Sequence, residues 1–348
     1  MRGTLWCAGL IVASVGNGAG VRAEPASRHL NICHAGSVGA ALAEVEKAFT
    51  AQHPDVVISD TSGGSVALAR RLATGVQVCD VYASADYLSI DRMLKPAGIA
   101  DYTIVFARGR MVLAYLATDP KAQGIAAAGD FGPPASIPDA VPQWYQRLLA
   151  PGVRVGGAHP FLDPGGYRAH MILELAQRHY GVPNLYNALL EHYEVIPAAD
   201  GADAAAAPTL GREFNFQFSY EHSAAAAAKR NQTYRYVHLP DRIDLSTSTN
   251  AEYYAQTSVT MPGLGISGAA SAITIPASRA AWGVTIIRNG ANQENARAFV
   301  GLLLGPIGTA ALNASGPSPV TPAAVGPGDY KRIPQALRPL VAPQAAAP

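Results

Sequence analysis

Apolar and polar residues alternate along the chain with two different periods. The stretch HLNICHAGS (29–37) contains the short apolar run of a strand, and in the following SVGAALAEVEKAF (37–49) apolar residues recur every three or four positions. Such a change of period predicts a strand followed by a helix. The same change occurs at 55–75, 76–94 and 153–181. The pattern therefore predicts an α/β protein with largely parallel sheets.

Small residues that offer hydrogen-bond donors lie at each of these predicted junctions. The first three predicted helices begin at Ser37, at Ser65 and at Ser84-Ala85, and the fourth begins at Asp163-Pro-Gly-Gly. A serine cap after a flexible turn explains any single junction. However, the first N–H groups of a helix have no partner inside it, so four converging helix starts favour a negatively charged ligand. In open α/β sheets, ligands bind beyond the carboxyl ends of the strands, where all four junctions would lie.

Two further predicted strands mark the places where the chain passes from one predicted domain, or lobe, to the other and back. They lie in 103–115 and 280–290, and each contains a continuous apolar run. With 348 residues, the chain is long enough to form two domains. The predicted divisions are a first lobe of 27–107 plus 280–340, a second lobe of 108–279, and a disordered tail at 341–348.

The first 23 residues have the features of a secretory signal peptide. Arg2 is followed by a short apolar stretch and by the small-residue sequence VRA, which ends at Ala23. Glycines and Asn17 interrupt the apolar stretch well short of the roughly 20 residues that a membrane-spanning helix needs. We therefore expect cleavage after Ala23 and a periplasmic location.

The net charge of the chain argues against a nucleic-acid partner, and its cysteine content leaves open whether one disulfide forms. Without residues 1–23, which include Arg2 and Arg22, 24 basic residues stand against 25 acidic ones, a net charge of −1. This balance does not favour a nucleic-acid partner. Cys33 and Cys79 each end a predicted strand. They form one disulfide or remain as buried thiols, and the sequence is compatible with both.

The order of these segments resembles that of the periplasmic molybdate/tungstate-binding proteins of ABC importers, which have the type II periplasmic-binding-protein fold. The resemblance extends from about residue 30 to 325 and includes the segments AGSVGAALAEVEKAF, GGSVALARRL, CDVYASADYLSIDRML, DPGGYRAHMILELAQRHYG and WGVTIIRNGANQENARAFVGLLL. It implies two α/β lobes, each with a mixed, mostly parallel sheet flanked by helices. A hinge would join the lobes, and the ligand would lie in the cleft between them.

The resemblance also implies a ligand, partners and binding residues. The ligand would be a molybdate or tungstate dianion, and no cofactor is expected. The protein, a monomer, would deliver the anion to a membrane permease and its ATPase. In such proteins, serine hydroxyls and backbone N–H groups at helix starts hold the anion. Carried over to this chain, the ligand-binding positions are Ser37, Ser65, Ala85, Asp163, Gly165 and Tyr220.

In one branch of that family, two carboxylates contact the metal centre of the oxyanion directly. Asp163 matches one of these positions, but the other, immediately before Tyr220, holds Ser219 in this chain. Glu221 follows Tyr220 and would become a direct ligand only if the strand shifted. A carboxylate beside a dianion is repulsive unless it binds the metal. We therefore favour a plain tetrahedral anion site over direct ligation by Asp163 and Glu221.

Other ligands and an enzymatic function are the alternatives. Sulfate or phosphate would suit the same donors. Ferric ion is a weaker alternative, suggested by Tyr234 and Tyr236, because iron-binding relatives of this fold use paired tyrosines. A hydrolase would need a G-x-S-x-G turn with a histidine and an acid, and the spacing in AGSVG does not match that turn. The chain also lacks a Walker A lysine. We therefore expect a binding protein and not an enzyme.

Overall fold

The computed structural model describes residues 28–125, 144–197 and 209–344, and the predicted signal peptide at 1–23 lies outside them. The strands are β1 His29–Ala35, β2 Val57–Gly63, β3 Val81–Ser84, β4 Ile104–Arg108, β5 Met111–Leu116, β6 Val155–Gly157, β7 Tyr193–Val195, β8 Phe216–Tyr220, β9 Tyr234–His238, β10 Ser258–Pro262, β11 Ala272–Pro276, β12 Ala281–Ile286, β13 Ser318–Val325 and β14 Val341–Pro343.

The helices follow the predicted strand-to-helix junctions and continue into the C-terminal part of the chain. They are α1 Gly39–Gln52, α2 Ser65–Ala73, α3 Tyr87–Ser89, α4 Trp144–Leu148, α5 Pro164–Tyr180, α6 Leu185–Leu190, α7 Glu221–Arg230, α8 Ala251–Tyr254, α9 Gln293–Leu304, α10 Pro306–Ser315 and α11 Pro327–Tyr330. Single 3-10 turns precede α1 and α8, at Gly36–Val38 and Ser248–Asn250, and a π-helical turn, Ile90–Leu94, continues α3. The predicted helix start at Ser65 is confirmed.

Two sheets form the framework of the molecule. The seven-stranded sheet has the order β14-β13-β4-β12-β3-β1-β2, and the five-stranded sheet has the order β7-β6-β8-β5-β9. β1 runs parallel to β2 and β3, and β6 runs parallel to β7 and β8. In contrast, β12 is antiparallel to β3 and β4, and β5 is antiparallel to β8 and β9. We call the parts built on the larger and the smaller sheet the first and second lobes.

The α/β prediction is confirmed, but the sheets are less parallel than expected. Among the described strands of the two main sheets, five neighbouring pairs are parallel and five are antiparallel. The antiparallel pairs involve β4, β5 and β12, beside the crossings between the lobes, and β8, β9 and β13. A strand next to a crossing between the lobes runs against the direction of the local β-α-β units. Sequence periodicity does not report strand direction, so the sequence could not predict these antiparallel pairs.

The chain crosses from the first sheet to the second at Gly109 and Arg110. β4 ends just before this pair and β5 begins just after it. The apolar run at 103–115 therefore contributes to two strands in different sheets instead of one strand. Gly109 lies against the ring of Trp282 on the returning strand, because a Cβ atom at Gly109 would be 3.1 Å from that ring. The crossing is thus packed tightly.

Cys33 and Cys79 form a disulfide, with their Cα atoms 5.8 Å apart. Cys33 lies in β1, and Cys79 precedes the neighbouring strand β3. The sequence left this pairing open. The sheet decides it, because β1 and β3 are adjacent and parallel, so the two cysteines come together.

The C-terminal segment is ordered further than predicted. Val341–Pro343 forms β14 and pairs in parallel with β13, so the prediction of a disordered tail from 341 is wrong for these residues. The physical reason is that β13 offers unpaired backbone groups at the sheet edge and that the Val341 side chain is buried. Residues 345–348 lie outside the described part of the chain.

Membrane-spanning potential is weak in the described part of the chain. No single helix there combines the length and the hydropathy needed to cross a bilayer. Only α9 and α10 together meet the requirement in length and composition, and they are bent by 59° at the break between them.

Candidate functional site

The predicted donors of the first lobe meet at the start of α2. Ser65 is wholly buried, and its Oγ accepts a hydrogen bond of 3.0 Å from the backbone N–H of Ala85. The Tyr82 hydroxyl donates to the carbonyl of Ser65 at 2.6 Å and fixes this turn. Ser65 and Ala85 are 20 residues apart in sequence, and the parallel strands β2 and β3 bring them together at one edge of the sheet.

Asp163 and Gly165 form the first turn of α5 in the second lobe. The Asp163 carboxylate caps this 17-residue helix by accepting the N–H of Gly165 at 2.7 Å. This contact is the turn-and-cap role that an aspartate before Pro-Gly-Gly often has. Tyr220 is close by, because a Cβ atom at Gly165 would lie 3.9 Å from the tyrosine hydroxyl oxygen. The backbone donor predicted for the ligand is therefore occupied by a carboxylate of the same chain.

Arg168 is a buried residue at this site that the sequence analysis missed. Its side chain comes from α5 and is only 1% exposed. Its Nη1 atom donates to the carbonyl of Ala85 at 2.6 Å and to the hydroxyl oxygen of Tyr220 at 2.7 Å. The buried Nη2 atom has no hydrogen-bond partner in the described structure, although Asp86 Oδ1 lies 3.4 Å away. One arginine thus joins predicted binding residues of both lobes.

Asp86 balances the charge of Arg168. Its two carboxylate oxygens accept hydrogen bonds from the Leu88 N–H at 3.0 Å and from the Tyr167 hydroxyl at 2.6 Å. Burial raises the pKa of Asp86, and the Arg168 guanidinium opposes that rise. Because both oxygens act as acceptors, we assign the ionised carboxylate. We call the residues Ser65, Ala85, Asp86, Tyr167, Arg168 and Tyr220 the cleft cluster.

The rings of Trp282 and His222 form an aromatic wall between Tyr220 of the cleft cluster and Ser37. Trp282 Nε1 donates to Ser37 Oγ at 3.0 Å, and the Trp282 ring is 4.8 Å from the Tyr220 ring. His222 Nε2 lies 2.7 Å from the Ser37 carbonyl, which can only accept, so this nitrogen carries the proton. Burial lowers the pKa of His222 to about 4, and the ring is therefore neutral at pH 7. Ser37 is linked to Tyr220 through this wall.

Glu221 has contacts on the outer side of the second lobe. Its carboxylate is 2.6 Å from His238 Nε2 and 3.5 Å from Arg110 Nε, and the side chain is 37% exposed. Ser219, by contrast, is buried at the end of β8. Arg110 and His238 thus engage Glu221, while Asp163 caps α5. Direct ligation of a metal centre by Asp163 and Glu221 stays a prediction that these contacts do not favour.

The two lobes touch directly at the start of α2. The Ala67 N–H donates to the carbonyl of Leu162 at 3.0 Å, across from the loop that leads to Asp163. Gly64 has to be small here, because a Cβ atom on it would lie 2.6 Å from the Leu162 carbonyl oxygen. Glycine in the segment SDTSGGSV is thus explained by a close approach of the lobes.

Arg70 adds a second link between the lobes. Its guanidinium donates to three backbone carbonyls of the second lobe. These are Phe161 at 2.5 Å, Pro262 at 2.7 Å and Gly263 at 3.4 Å. Together with the Ala67 contact, these bonds describe a closed arrangement of the two lobes.

A metal-cation site finds no support in the described residues. No group of three or more histidine, cysteine, aspartate or glutamate side chains is placed to hold a metal ion there. Tyr234 and Tyr236, the candidates for iron, lie on one face of β9, and the Tyr236 ring packs on His238. The arrangement instead offers hydroxyl, amide N–H and guanidinium donors, which suit an oxyanion.

Comparisons with known proteins identify the family to which the chain belongs. Residues 30–316 match the family described as bacterial extracellular solute-binding protein. A solute-binding protein of Methanoculleus marisnigri is 28% identical over 333 residues, which cover 90% of this chain and 86% of the relative. The molybdate/tungstate-binding protein WtpA of Thermococcus kodakarensis is 28% identical over 305 residues, which cover 80% of this chain and 78% of the relative.

Solved structures with low sequence identity share the fold. The periplasmic molybdate-binding protein of Azotobacter vinelandii has a TM-score of 0.55 at 17% identity, with 84% of this chain and 98% of that chain covered. The sulfate-binding protein SubI of Mycobacterium tuberculosis has a TM-score of 0.58 at 16% identity, with 84% and 87% covered. These matches confirm the two-lobed type II periplasmic-binding-protein fold. The chain therefore belongs to the bacterial extracellular solute-binding protein family.

Proposed function

We propose that this protein captures a tetrahedral oxyanion outside the cytoplasm, molybdate or tungstate first, and delivers it to the permease and ATPase of an ABC importer. The observation that carries the proposal is the buried Arg168 guanidinium, which spans the two lobes and has an Nη2 atom without a hydrogen-bond partner in the described structure. A buried, unpaired N–H group costs free energy unless a ligand supplies an acceptor. The two WtpA relatives, at 28% and 25% identity, support the choice of anion.

Closure of the lobes on the anion would replace its water shell with donors of the protein. The proposed donors are the hydroxyls of Ser65 and Tyr220 and the backbone N–H groups of Ala85 and Gly165. Ser37, predicted as a further donor, bonds to Trp282 on the other side of the aromatic wall and would join them only if that wall moved. Two of the proposed donors bond to each other, since the Ala85 N–H donates to Ser65 Oγ. We expect the anion to replace such contacts when it binds. The Arg168–Asp86 pair adds a guanidinium whose charge is already balanced, so the dianion would be held mainly by oriented dipoles.

Selectivity would follow from size and protonation state. Sulfate is smaller than molybdate, so fixed donors would leave it with longer hydrogen bonds. Hydrogen phosphate carries a proton and therefore needs an acceptor in the site. Asp163 lies beside Gly165 and offers such an acceptor, which makes phosphate the second candidate ligand.

The test is calorimetric titration of the ligand-stripped protein with molybdate and tungstate, with sulfate, phosphate and ferric ion in parallel. We expect a submicromolar Kd for molybdate or tungstate and no measurable heat with sulfate. Tyr220→Phe removes only the hydroxyl, and a lost hydrogen bond to a charged group predicts a Kd roughly tenfold higher or more. Tyr236→Phe, on strand β9 of the same sheet, is the matched control and should bind normally. No measurable binding of molybdate or tungstate, together with binding of another ion, would overturn the proposal.

A further inference from the structure

A separate polar cavity of about 470 Å³ lies between the two lobes, beside the aromatic wall. Ser37 from the first lobe lines one side of it, and the second lobe contributes Gln217, His222, Arg230 and Tyr234. Ser37 and His222 also take part in the wall that separates the cavity from Tyr220. The cavity therefore adjoins the cleft cluster without containing Arg168 or Asp86.

One buried polar atom in the lining has no hydrogen-bond partner in the described part of the chain, and one buried side-chain amide lies in the same lining. The Thr209 side chain is 7% exposed, and its Oγ1 atom has no hydrogen-bond partner among the described residues. Gln217 is 6% exposed, and its side-chain amide makes no hydrogen bond to another described residue. Gln217 lies in β8 opposite Gly156 of β6, so no side chain from that neighbour covers it. Buried polar groups are nearly always paired, so the Thr209 hydroxyl points to a polar occupant of the cavity, and the Gln217 amide in the same lining could bind it as well.

The charge of the lining indicates the sign of that occupant. Among the described residues, no aspartate or glutamate lines the cavity, and Arg230 at the end of α7 is the cation of its lining. Within the described chain, Arg230 forms no ion pair. A concave surface with one guanidinium, several hydroxyls and no carboxylate favours an anion with a single charged group.

The size of the cavity indicates more than a bare inorganic ion. A volume of about 470 Å³ falls in the range, roughly 300–1,000 Å³, of pockets that hold small organic molecules. We infer that the cavity binds a small polyhydroxylated organic anion, with its carboxylate or phosphate group at Arg230 and its hydroxyls at Thr209 and Gln217. This site goes beyond the proposed oxyanion site. Because both lobes line the cavity, its ligand favours the same closed arrangement and should tighten oxyanion binding.

The experiment titrates the purified protein with D-gluconate, with glucose 6-phosphate and with the neutral D-glucitol. The first two probes distinguish a carboxylate from a phosphate head group. We expect a submillimolar Kd for at least one of the anions and much weaker binding of D-glucitol. Arg230→Gln should raise that Kd roughly tenfold or more, whereas Lys229→Gln, the neighbouring position outside the cavity lining, should leave it unchanged.

Gln217→Leu provides an independent test that does not threaten folding. The amide has no partner to lose, so the substitution should leave the free energy of unfolding unchanged or higher, while it weakens binding of the organic anion. Molybdate titration of each variant separates this inference from the proposed function, since neither Arg230 nor Gln217 is an oxyanion donor. Absence of binding for both anions, equal binding of D-glucitol, or equal losses in Arg230→Gln and Lys229→Gln would each overturn the inference.

Discussion

Replacing Arg70 with glutamine should weaken oxyanion binding, although Arg70 is not one of the proposed donors. Its guanidinium holds three carbonyls of the second lobe, and two of these bonds are short, at 2.5 and 2.7 Å. Both bonds are solvent-exposed, so we take about 1 kcal/mol each, the value of an ordinary hydrogen bond, instead of the higher value for a charged donor. The third, at 3.4 Å, adds little. The closed arrangement would therefore lose about 2 kcal/mol, which corresponds to roughly 30-fold in its population relative to the open one.

The lower stability of the closed arrangement should weaken anion binding, because only the closed arrangement holds the anion between both lobes. If the ligand-free protein is mainly open, the Kd for molybdate should rise by the same factor of roughly 30. Calorimetry measures the Kd. Small-angle scattering of the protein without molybdate checks the premise, since a mainly open protein should have the same radius of gyration with and without the substitution. Arg70→Lys keeps the charge but cannot reach all three carbonyls at once, so it should give an intermediate value.

Arg71→Gln is the matched control for this prediction. It lies next to Arg70 on α2 and, within the described residues, makes no side-chain hydrogen bond to the second lobe. Its Kd and radius of gyration should equal those of the unmodified protein. The reasoning is refuted if Arg70→Gln raises the Kd by less than twofold, or if Arg71→Gln raises it by as much as Arg70→Gln does.

Three further predictions concern Asp163, the disulfide and Glu46. Asp163→Ala should lower the free energy of unfolding by about 1 kcal/mol through loss of the helix cap. It should leave the Kd for molybdate unchanged or lower. A rise in that Kd of more than about tenfold would instead indicate direct ligation of the metal. Reduction of the Cys33–Cys79 bridge, which closes a loop of 46 residues, should lower the free energy of unfolding by about 4 kcal/mol in denaturant titrations, and an unchanged midpoint would contradict this. Burial raises the pKa of Glu46 to about 7 from its usual 4.5. The folded state therefore binds this proton more tightly, and stability falls as pH rises from about 4.5 to about 7. Glu46→Gln should accordingly be more stable than the unmodified protein at pH 8 and equal to it below pH 4, as thermal unfolding at both pH values would check.

Local sequence patterns predicted the starts of α2 and α5 because these depend on neighbouring residues, whereas α1 and α3 begin two residues after Ser37 and Ala85. The change from strand to helical periodicity before Ser65 locates the start of α2 correctly. Asp163 before Pro-Gly-Gly likewise marks the start of α5, because proline suits the first turn of a helix and aspartate caps it. Residue type and spacing within a few positions are sufficient for such features.

The position of Glu221 could not be predicted in the same way. Strand alternation places Ser219 and Tyr220 on opposite faces of β8, and continued alternation would return Glu221 to the face of Ser219. However, β8 ends at Tyr220 and α7 begins at Glu221. Successive side chains turn by about 100° in a helix instead of about 180° in a strand. Glu221 is therefore directed to Arg110 and His238.

The sequence by itself determined the α/β class, the family resemblance and the four donor-rich junctions, because these are properties of residue order and local period. The tertiary structure decided the Cys33–Cys79 bridge, the division of the apolar run at Gly109 and the burial of Arg168 between the lobes. Each of these depends on which strands are neighbours and how closely two distant segments approach. Such contacts join residues far apart in the chain, and no local pattern records them.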